Sequence, residues 1–188
     1  MTLRNITCAV TLCLLTLSGQ AVGKTEVPPY KNKSLSIEKR VDDLMGRMTL
    51  REKVLQLQNR GAGRLDEIDR IFNGESYGCT HEMGTTAAEC AAMYKELQQY
   101  MLTKTRLGIP IITSAEGIQG ILQNNCTLFP HALAQGSTFN PALIQRMTEA
   151  AGEEAKVIGI HQILSPVLDI ARELRWGRVE ETFGEDPY

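Results

Sequence analysis

Three features are missing from the sequence, and each absence excludes a class of protein. The 20 basic residues are balanced by 22 acidic ones, for a formal net charge of −2, and no basic run indicates a nucleic-acid-binding protein. No acidic tail indicates a charged partner. No apolar run reaches the ~20 residues that a membrane-spanning helix needs. The composition that remains, 43% hydrophobic and 22% charged, is typical of a soluble globular protein.

The first 23 residues have the pattern of a secretory signal peptide. Arg4 supplies the positive charge, residues 6–17 form an uncharged, mostly apolar run of 12 residues, and small residues follow at 21–23. The alternative is a buried N-terminal helix or strand. Because Cys13 lies inside the run rather than at its end, the pattern favours a freely exported protein, secreted or periplasmic, over a lipid-anchored one.

Metal and phosphate signatures are also missing. Loss of the signal peptide leaves Cys79, Cys90 and Cys126, an odd number that allows at most one internal disulfide. We interpret these cysteines as small apolar packing residues, and the sequence leaves open whether two of them are bonded. No CxxC or His-rich spacing indicates a metal site, and no Gly-rich phosphate fingerprint follows a predicted strand. We therefore predict no metal and no other cofactor.

After a polar lead-in over residues 24–36, two short amphipathic helices are predicted. Ser36 is suited to cap the first, whose apolar residues recur at helical spacing: Ile37, Val41, Leu44, Met45 and Met48. A capping box of Thr49 and Glu52 begins the second. The side chains predicted to face inward from that helix are Leu50, Val54 and Leu57. Both helices are expected to pack and to carry no chemistry.

Residues 60–84 are rich in glycine, and we predict an irregular loop there. The loop contains His81. This histidine lies either at the mouth of a pocket or, in the interpretation that we favour, on an exposed part of the loop.

A second capping box, Thr86 with Glu89, begins a longer helix. Its buried face is predicted to consist of Cys90, Tyr94, Leu97 and Met101. Residues 109–112 are wholly apolar, as in a strand that is buried on both faces. Glu116 follows, so its carboxylate is expected at the carboxyl end of that strand, where a (β/α) barrel has its active site. A solvated loop glutamate or a salt-bridge partner is the alternative.

The next helix is predicted to begin at Asn140 and Pro141, which suit the N-cap and the first helical position. Gly159 ends it, and residues 160–170 are predicted as the following strand. From residue 85 onward the order is therefore helix, strand, loop, helix, strand, loop. This alternation predicts an α/β fold with a parallel sheet and right-handed crossovers.

A highly charged loop follows the last predicted strand. It carries three arginines, the single tryptophan of the chain and a group of carboxylates: Arg172, Arg175, Arg178, Trp176, Asp169, Glu180, Glu181, Glu185 and Asp186. Loops that follow buried strands are where α/β scaffolds place their functional residues.

Five stretches of the chain resemble glycoside hydrolase family 3, in particular the N-terminal barrel of secreted β-glucosidases and β-xylosidases. They are MTLREK at 48–53, TRLGIP at 105–110, FPH at 129–131, RWGR at 175–178 and FGEDPY at 183–188. The resemblance covers roughly residues 36–188. It implies that residues 37–188 are the N-terminal part of an incomplete (β/α)8, TIM-type barrel. Such proteins hydrolyse terminal, non-reducing β-linked glucosyl or xylosyl residues.

The resemblance also assigns sugar-binding residues. Glu116 occupies the position of a carboxylate that accepts hydrogen bonds from sugar hydroxyls, although the family more often has aspartate there. Arg178, the second arginine of RWGR, is implied as a second sugar-binding residue, and Arg175 as a structural one. Many members have histidine where this chain has Gln119, which puts one sugar contact in doubt.

No catalytic residue is assigned within these 188 residues. Retaining glycosidases need two carboxyl groups about 5–5.5 Å apart, and the resemblance implies that both the nucleophilic aspartate and the acid/base come later in the sequence. We expect the five carboxylates of the charged loop to pair with its arginines and to cap the next helix instead. A complete barrel takes about 250 residues. We therefore expect this chain to be part of a longer product and inactive alone.

Three interpretations remain open at this point. The first is an exported β-glycosidase represented by its N-terminal part, with a β-glucoside or β-xyloside as its partner. The second is a carbohydrate-binding pseudoenzyme that retains Glu116 and Arg178 but has lost the nucleophile. The third, an unrelated phosphate- or nucleotide-binding α/β domain, lacks the Gly-rich fingerprint such a domain needs. The sequence does not determine the oligomeric state.

Overall fold

The structure is a computed structural model that describes residues 27–81 and 85–187. The predicted signal peptide and Gly84 lie outside the described residues. The chain divides into two units, residues 1–44 and 45–188. Among the described residues, no helix is both long and apolar enough to cross a membrane.

The first unit contains a 3-10 turn, Pro29–Lys31, and most of helix α1, Ile37–Arg47. Ser36 caps this helix as predicted, because its Oγ accepts a hydrogen bond from the backbone N–H of Lys39 at 3.4 Å. The apolar stripe of α1, however, does not pack inward. The exposed fractions of Ile37, Val41 and Met45 are 70%, 48% and 45%. The predicted helical period is therefore confirmed, and the other two residues of the stripe, Leu44 and Met48, are half-buried.

Helix α2, Leu50–Leu55, begins at the predicted capping box, and both hydrogen bonds of the box are present. Its buried residue is Leu55 and not the predicted set, since Leu50, Val54 and Leu57 are all exposed. The helix has only six residues, so Leu57 lies beyond its end. A stripe extrapolated at helical spacing therefore assigned the wrong side chains to the core.

Within the predicted loop, residues 60–81, which the structure describes, are more regular than predicted. They contain a 3-10 turn at Leu65–Glu67, helix α3 at Ile68–Phe72 and strand β1 at Cys79–His81. The strand exists because it pairs with β2, Ile112–Glu116, in parallel register, Cys79 opposite Ile112. This pairing partner is distant in sequence, so a reading of the local pattern missed the strand.

Helix α4, Ala87–Lys104, supplies much of the hydrophobic core, and its Thr86–Glu89 capping box is present. All four residues of its predicted inner face are buried: Cys90, Tyr94, Leu97 and Met101. Met93 and Tyr100 are buried with them. Of the three described cysteines, Cys90 is buried, and Cys79 and Cys126 are half-buried.

Strand β2 begins three residues later than predicted. Gly108 adopts a left-handed φ of 61° and Pro110 has no N–H to donate, so regular pairing starts only at Ile112. The strand is buried on both faces as predicted, since Thr113, Ser114 and Ala115 are all buried, and only its first residue, Ile112, is exposed, at 50%. Its end at Glu116 agrees with the prediction.

Helices α5, Ala132–Gly136, and α6, Pro141–Ile158, follow β2. The predicted Asn140 cap of α6 and its end at Gly159, with φ 90°, are both present. Strand β3 is only three residues long, Gln162–Leu164, where residues 160–170 were predicted, and it is more exposed than a buried strand. The reason is that β2 ends opposite Leu164, and no further pairing partner continues on that side.

The three strands form a parallel sheet in the order β1-β2-β3, with α4 connecting the first two and α6 connecting β2 to β3. This is the strand and helix order of part of a (β/α)8 barrel. The carboxyl ends of all three strands lie at one edge of the sheet, and the loops that leave them carry the residues considered next.

Candidate functional site

Glu116 is the last residue of β2 and is half-buried at the carboxyl end of the sheet, opposite Leu164 of β3. Two side-chain hydrogen bonds hold the strand just before it. The Tyr94 hydroxyl donates to the carbonyl oxygen of Ser114 at 3.1 Å, and Ser114 Oγ donates to the carbonyl oxygen of Thr80 at 2.9 Å. The central strand is thereby tied both to the helix layer and to β1, which fixes the backbone position from which Glu116 projects.

His81 lies at the end of β1, in register with Ser114, and is half-buried. The prediction that His81 lies in an irregular loop was therefore wrong, because its backbone is part of strand β1. The pattern did not reveal the strand end because β1 is only three residues long.

The loop after β2 approaches its neighbours very closely. A Cβ added at Gly120 would lie 2.2 Å from the carbonyl oxygen of Thr127, and this glycine also has a φ of +99°. The Phe129 amide donates a hydrogen bond to the Gln119 carbonyl oxygen at 2.8 Å. Gln119 is therefore held by its backbone in the loop that follows Glu116, and the path of this loop requires glycine at position 120.

Arg178 lies immediately before a 3-10 turn, Val179–Glu181, in the charged loop after β3. Its Nε donates a hydrogen bond to Glu181 Oε2 at 2.9 Å, and its Nη2 donates to the same oxygen. The side chain of Arg178 is 56% exposed and that of Glu181 is 21% exposed. The guanidinium group is thus anchored on one edge and accessible to solvent elsewhere.

The charges around Arg178 identify its other neighbours. Its pKa is raised first by the hydrogen bond to Glu181, and the negative charges of Glu116 and Asp169 raise it further. The pKa of Glu181 is lowered, mainly by its hydrogen bond to Arg178, with a smaller contribution from His131. Of the two predicted sugar-binding residues, Glu116 thus ends β2 and Arg178 lies in the loop after β3, and the charge of the first contributes to the raised pKa of the second.

Asp169 and His131 are neighbours of this site that sequence reasoning did not single out for it. Asp169 was expected to pair with an arginine or to cap the next helix, and what connects it to Arg178 is a charge interaction that contributes to the raised pKa of the arginine. His131 belongs to the FPH motif, and the motif was the only signal that could have identified it.

Arg175 is arranged differently from Arg178. Its Nε and Nη2 both bond Glu173, at 2.9 and 2.7 Å, and its side chain is 89% exposed. These bonds lower the pKa of Glu173 to about 2. Its carboxylate partner is therefore Glu173 and not one of the five carboxylates that were expected to pair with the arginines.

A separate apolar cavity of about 350 Å³ opens beside the loop after β2. Ile118, Phe129, Met147 and Phe183 contribute to its wall, but Glu116 and Arg178 do not. Among the described residues no group of three His, Cys, Asp or Glu side chains could hold a metal ion. The polar candidate site is therefore the strand-end cluster around Arg178.

Comparison with models of known protein families identifies the family of this chain. The model of the glycosyl hydrolase family 3 N-terminal domain matches residues 49–188. The chain belongs to glycoside hydrolase family 3. The resemblance seen in the five sequence motifs is thus confirmed, and the parallel sheet described above corresponds to part of the family's TIM-type barrel.

Individual relatives agree with this assignment. The family 3 chain is 35% identical to a putative β-xylosidase of Formosa agariphila, over 87% of its own length and 23% of the relative's. It is 30% identical to a periplasmic β-glucosidase/β-xylosidase of Dickeya chrysanthemi, and the match covers 85% of this chain and 28% of that relative. A solved β-glucosidase structure from Erythrobacter marinus superposes with a TM-score of 0.69 at 31% identity. The superposition covers 85% of this chain and 22% of the β-glucosidase chain. The chain therefore spans less than a third of these relatives.

Proposed function

We propose that this family 3 chain forms part of the sugar-binding site of a retaining β-glycosidase that releases terminal β-linked glucosyl or xylosyl residues. Glu116 and Arg178 bind the hydroxyl groups of that terminal sugar. The observation that carries the proposal is that Glu116 ends β2 at the carboxyl end of the sheet, while Arg178 carries a half-exposed guanidinium group in the loop that follows β3, the strand paired with β2. This edge is where barrel enzymes bind their substrates.

The chemistry of the cluster suits a sugar. Each hydroxyl group both donates and accepts hydrogen bonds. The Glu116 carboxylate offers acceptors, while Arg178 offers guanidinium donors, and charge-assisted bonds of both kinds are stronger than neutral ones. The residues of this chain therefore bind and orient the sugar. The nucleophile and the acid/base that hydrolysis requires are expected outside these 188 residues.

We further propose that the protein is exported, with residues 1–23 as a cleaved signal peptide. The charged and apolar pattern of the N-terminus supports this, and the Dickeya chrysanthemi relative is named as periplasmic. Mass spectrometry of the exported protein is expected to find an N-terminus between Val22 and Thr25. Recovery of the intact protein from Met1 in the cytoplasm would contradict export.

The binding proposal is tested in the protein expressed from its complete gene, with any residues encoded beyond Tyr188, called here the gene-encoded protein. Arg178→Ala is expected to lower kcat/KM for 4-nitrophenyl β-glucoside or β-xyloside by about 10-fold or more, because a charge-assisted hydrogen bond is lost. Arg175→Ala is the matched control. It removes a neighbouring arginine that is exposed and paired with Glu173, and it is expected to change kcat/KM by less than threefold.

Two outcomes would count against the proposal. Equal effects of the two arginine substitutions would show that Arg178 has no specific role. Sugar binding without any turnover by the gene-encoded protein would instead favour the carbohydrate-binding pseudoenzyme.

A further inference from the structure

Arg178 and Glu181 form an ion pair within one turn of the loop that follows β3. They are three residues apart, and one carboxylate oxygen, Glu181 Oε2, accepts from both Nε and Nη2 of the arginine. A guanidinium group has five N–H donors in one plane. The ion pair uses two of them and leaves three, including both on Nη1, outside the pair.

The turn that carries the pair is held firmly in place. Thr182 is fully buried, and its hydroxyl donates to the Val179 carbonyl oxygen at 2.8 Å. The Glu181 amide donates to the Arg178 carbonyl oxygen at 3.2 Å. A Cβ added at Gly136 of α5 would lie 2.6 Å from the Phe183 carbonyl oxygen, so the backbone beyond the turn presses directly against a helix. Glu181 is therefore a fixed point from which Arg178 can be oriented.

The surrounding charges create a competition for Arg178. Glu116 and Asp169 also act electrostatically on its guanidinium group. An arginine side chain is long and flexible, so without an anchor it would turn toward either of these carboxylates. Direct pairing with Glu116 would occupy the acceptor that a sugar hydroxyl needs, and it would redirect the donors on Nη1.

From this geometry we propose that Glu181 is a positioning residue, which holds the guanidinium of Arg178 open toward the sugar and prevents it from pairing with Glu116. The inference rests on the proposed function, because it assigns a role to Glu181 through Arg178. Glu181 itself does not need to contact the sugar.

The test is a double-mutant cycle in the gene-encoded protein, measured as kcat and KM on 4-nitrophenyl β-glucoside or β-xyloside. Glu181→Ala is expected to lower kcat/KM by about 10-fold, mainly through a higher KM. Glu181→Gln keeps a hydrogen-bond acceptor of the same size and is expected to recover part of this loss. Adding Glu181→Ala to Arg178→Ala is expected to cause no further loss, because a residue that acts only through Arg178 has nothing left to position.

Glu180→Ala is the matched control, since it removes the adjacent, exposed carboxylate of the same turn. It is expected to leave kcat/KM within twofold of the unmodified protein. If Glu181→Ala fails to fold, as judged by circular dichroism, the cycle is measured with Glu181→Gln, for which a smaller but equally non-additive loss is expected.

The possible failures are distinguishable. If Arg178→Ala has less than a threefold effect, the proposed sugar-binding role is wrong and the positioning role falls with it. If Arg178→Ala is costly but Glu181→Ala and Glu181→Gln are not, only the positioning role is wrong. If the effects of the two alanine substitutions multiply in the double variant, Glu181 acts on the fold and not through Arg178, which also overturns the inference.

Discussion

The hydroxyl of Tyr94 on α4 donates a hydrogen bond to the backbone carbonyl oxygen of Ser114 at 3.1 Å, two residues before Glu116. Both residues are buried, with exposed fractions of 2% and 3%. The helix layer thus contacts the backbone of the strand that carries a proposed sugar ligand. A helix of the hydrophobic core is in this way connected to the strand that carries the proposed site.

Tyr94→Phe tests this connection, because it removes the hydroxyl group and leaves the ring. A buried carbonyl that loses a hydrogen bond costs about 1–3 kcal/mol. We expect the free energy of urea unfolding of the gene-encoded protein to fall by about that amount. A loss below about 0.3 kcal/mol would contradict a structural role for this bond.

Glu116→Ala is expected to lower kcat/KM of the gene-encoded protein about 10- to 150-fold, since hydrogen bonds to a charged group contribute about 1.5–3 kcal/mol. Steady-state kinetics on 4-nitrophenyl β-glucoside and β-xyloside measures the effect. A reduction below threefold, with an unchanged circular dichroism spectrum, would remove Glu116 from the site.

Gly120→Ala is expected to destabilise the loop that follows Glu116. The new methyl group would lie 2.2 Å from the Thr127 carbonyl oxygen, at a φ of +99° that alanine rarely adopts. The expected loss is about 2 kcal/mol or more, measured by urea unfolding, together with a lower kcat/KM.

Gly152→Ala is the matched control for that substitution. Gly152 lies inside α6, and a Cβ added there meets nothing within 4 Å. Because alanine has the higher helix propensity, this variant is expected to gain about 0.5–1 kcal/mol. A loss of stability at Gly152, or no loss at Gly120, would contradict the packing described here.

Lowering the pH is expected to destabilise the N-terminus of α2, because the Glu52 carboxylate becomes protonated. This carboxylate bonds Arg106 Nε at 2.8 Å and the Thr49 amide at 2.8 Å, and these interactions, that with Arg106 first, lower its pKa to about 2. Because the pKa of Glu52 is lower in the folded state than in the unfolded state, its charge stabilises the fold at pH values above the unfolded-state pKa near 4.3. This contribution is lost as the pH falls toward 2.

The measurement is the difference in melting temperature of the gene-encoded protein between pH 6 and pH 3. It is expected to be smaller in Glu52→Gln than in the unmodified protein, because glutamine does not titrate. Glu38→Gln, at an exposed position of α1, serves as the control. An unchanged pH dependence in Glu52→Gln would show that the Arg106 pair contributes nothing to stability.

Features that depend on neighbouring residues were predictable from the sequence. The Thr49–Glu52 and Thr86–Glu89 capping boxes, and the Asn140 cap, are all present. Each is made by atoms no more than three residues apart, so the local sequence is sufficient to specify it. The family assignment rested on short motifs in a fixed order, and these were also visible without coordinates.

Burial and strand boundaries were not predictable in the same way. The stripe of α1 has the correct period, yet Ile37 is 70% exposed. Strand β1 forms because Ile112 lies beside Cys79, and β3 stops where β2 stops, at Glu116 opposite Leu164. Whether an apolar side chain is covered, and where a strand begins, depends on what another part of the chain places next to it.

The sequence by itself therefore determined the helix starts, the α/β class, the family and the identity of Glu116 and Arg178 as candidates. Only the tertiary structure decided that β2 and β3 pair, so that Glu116 and the loop carrying Arg178 follow neighbouring strand ends, and that Glu181, rather than Glu116, holds the guanidinium group. The physical reason is that charge interactions depend on distance in space. Parallel pairing of β2 with β3 brings together the carboxyl ends of two strands that are far apart in sequence.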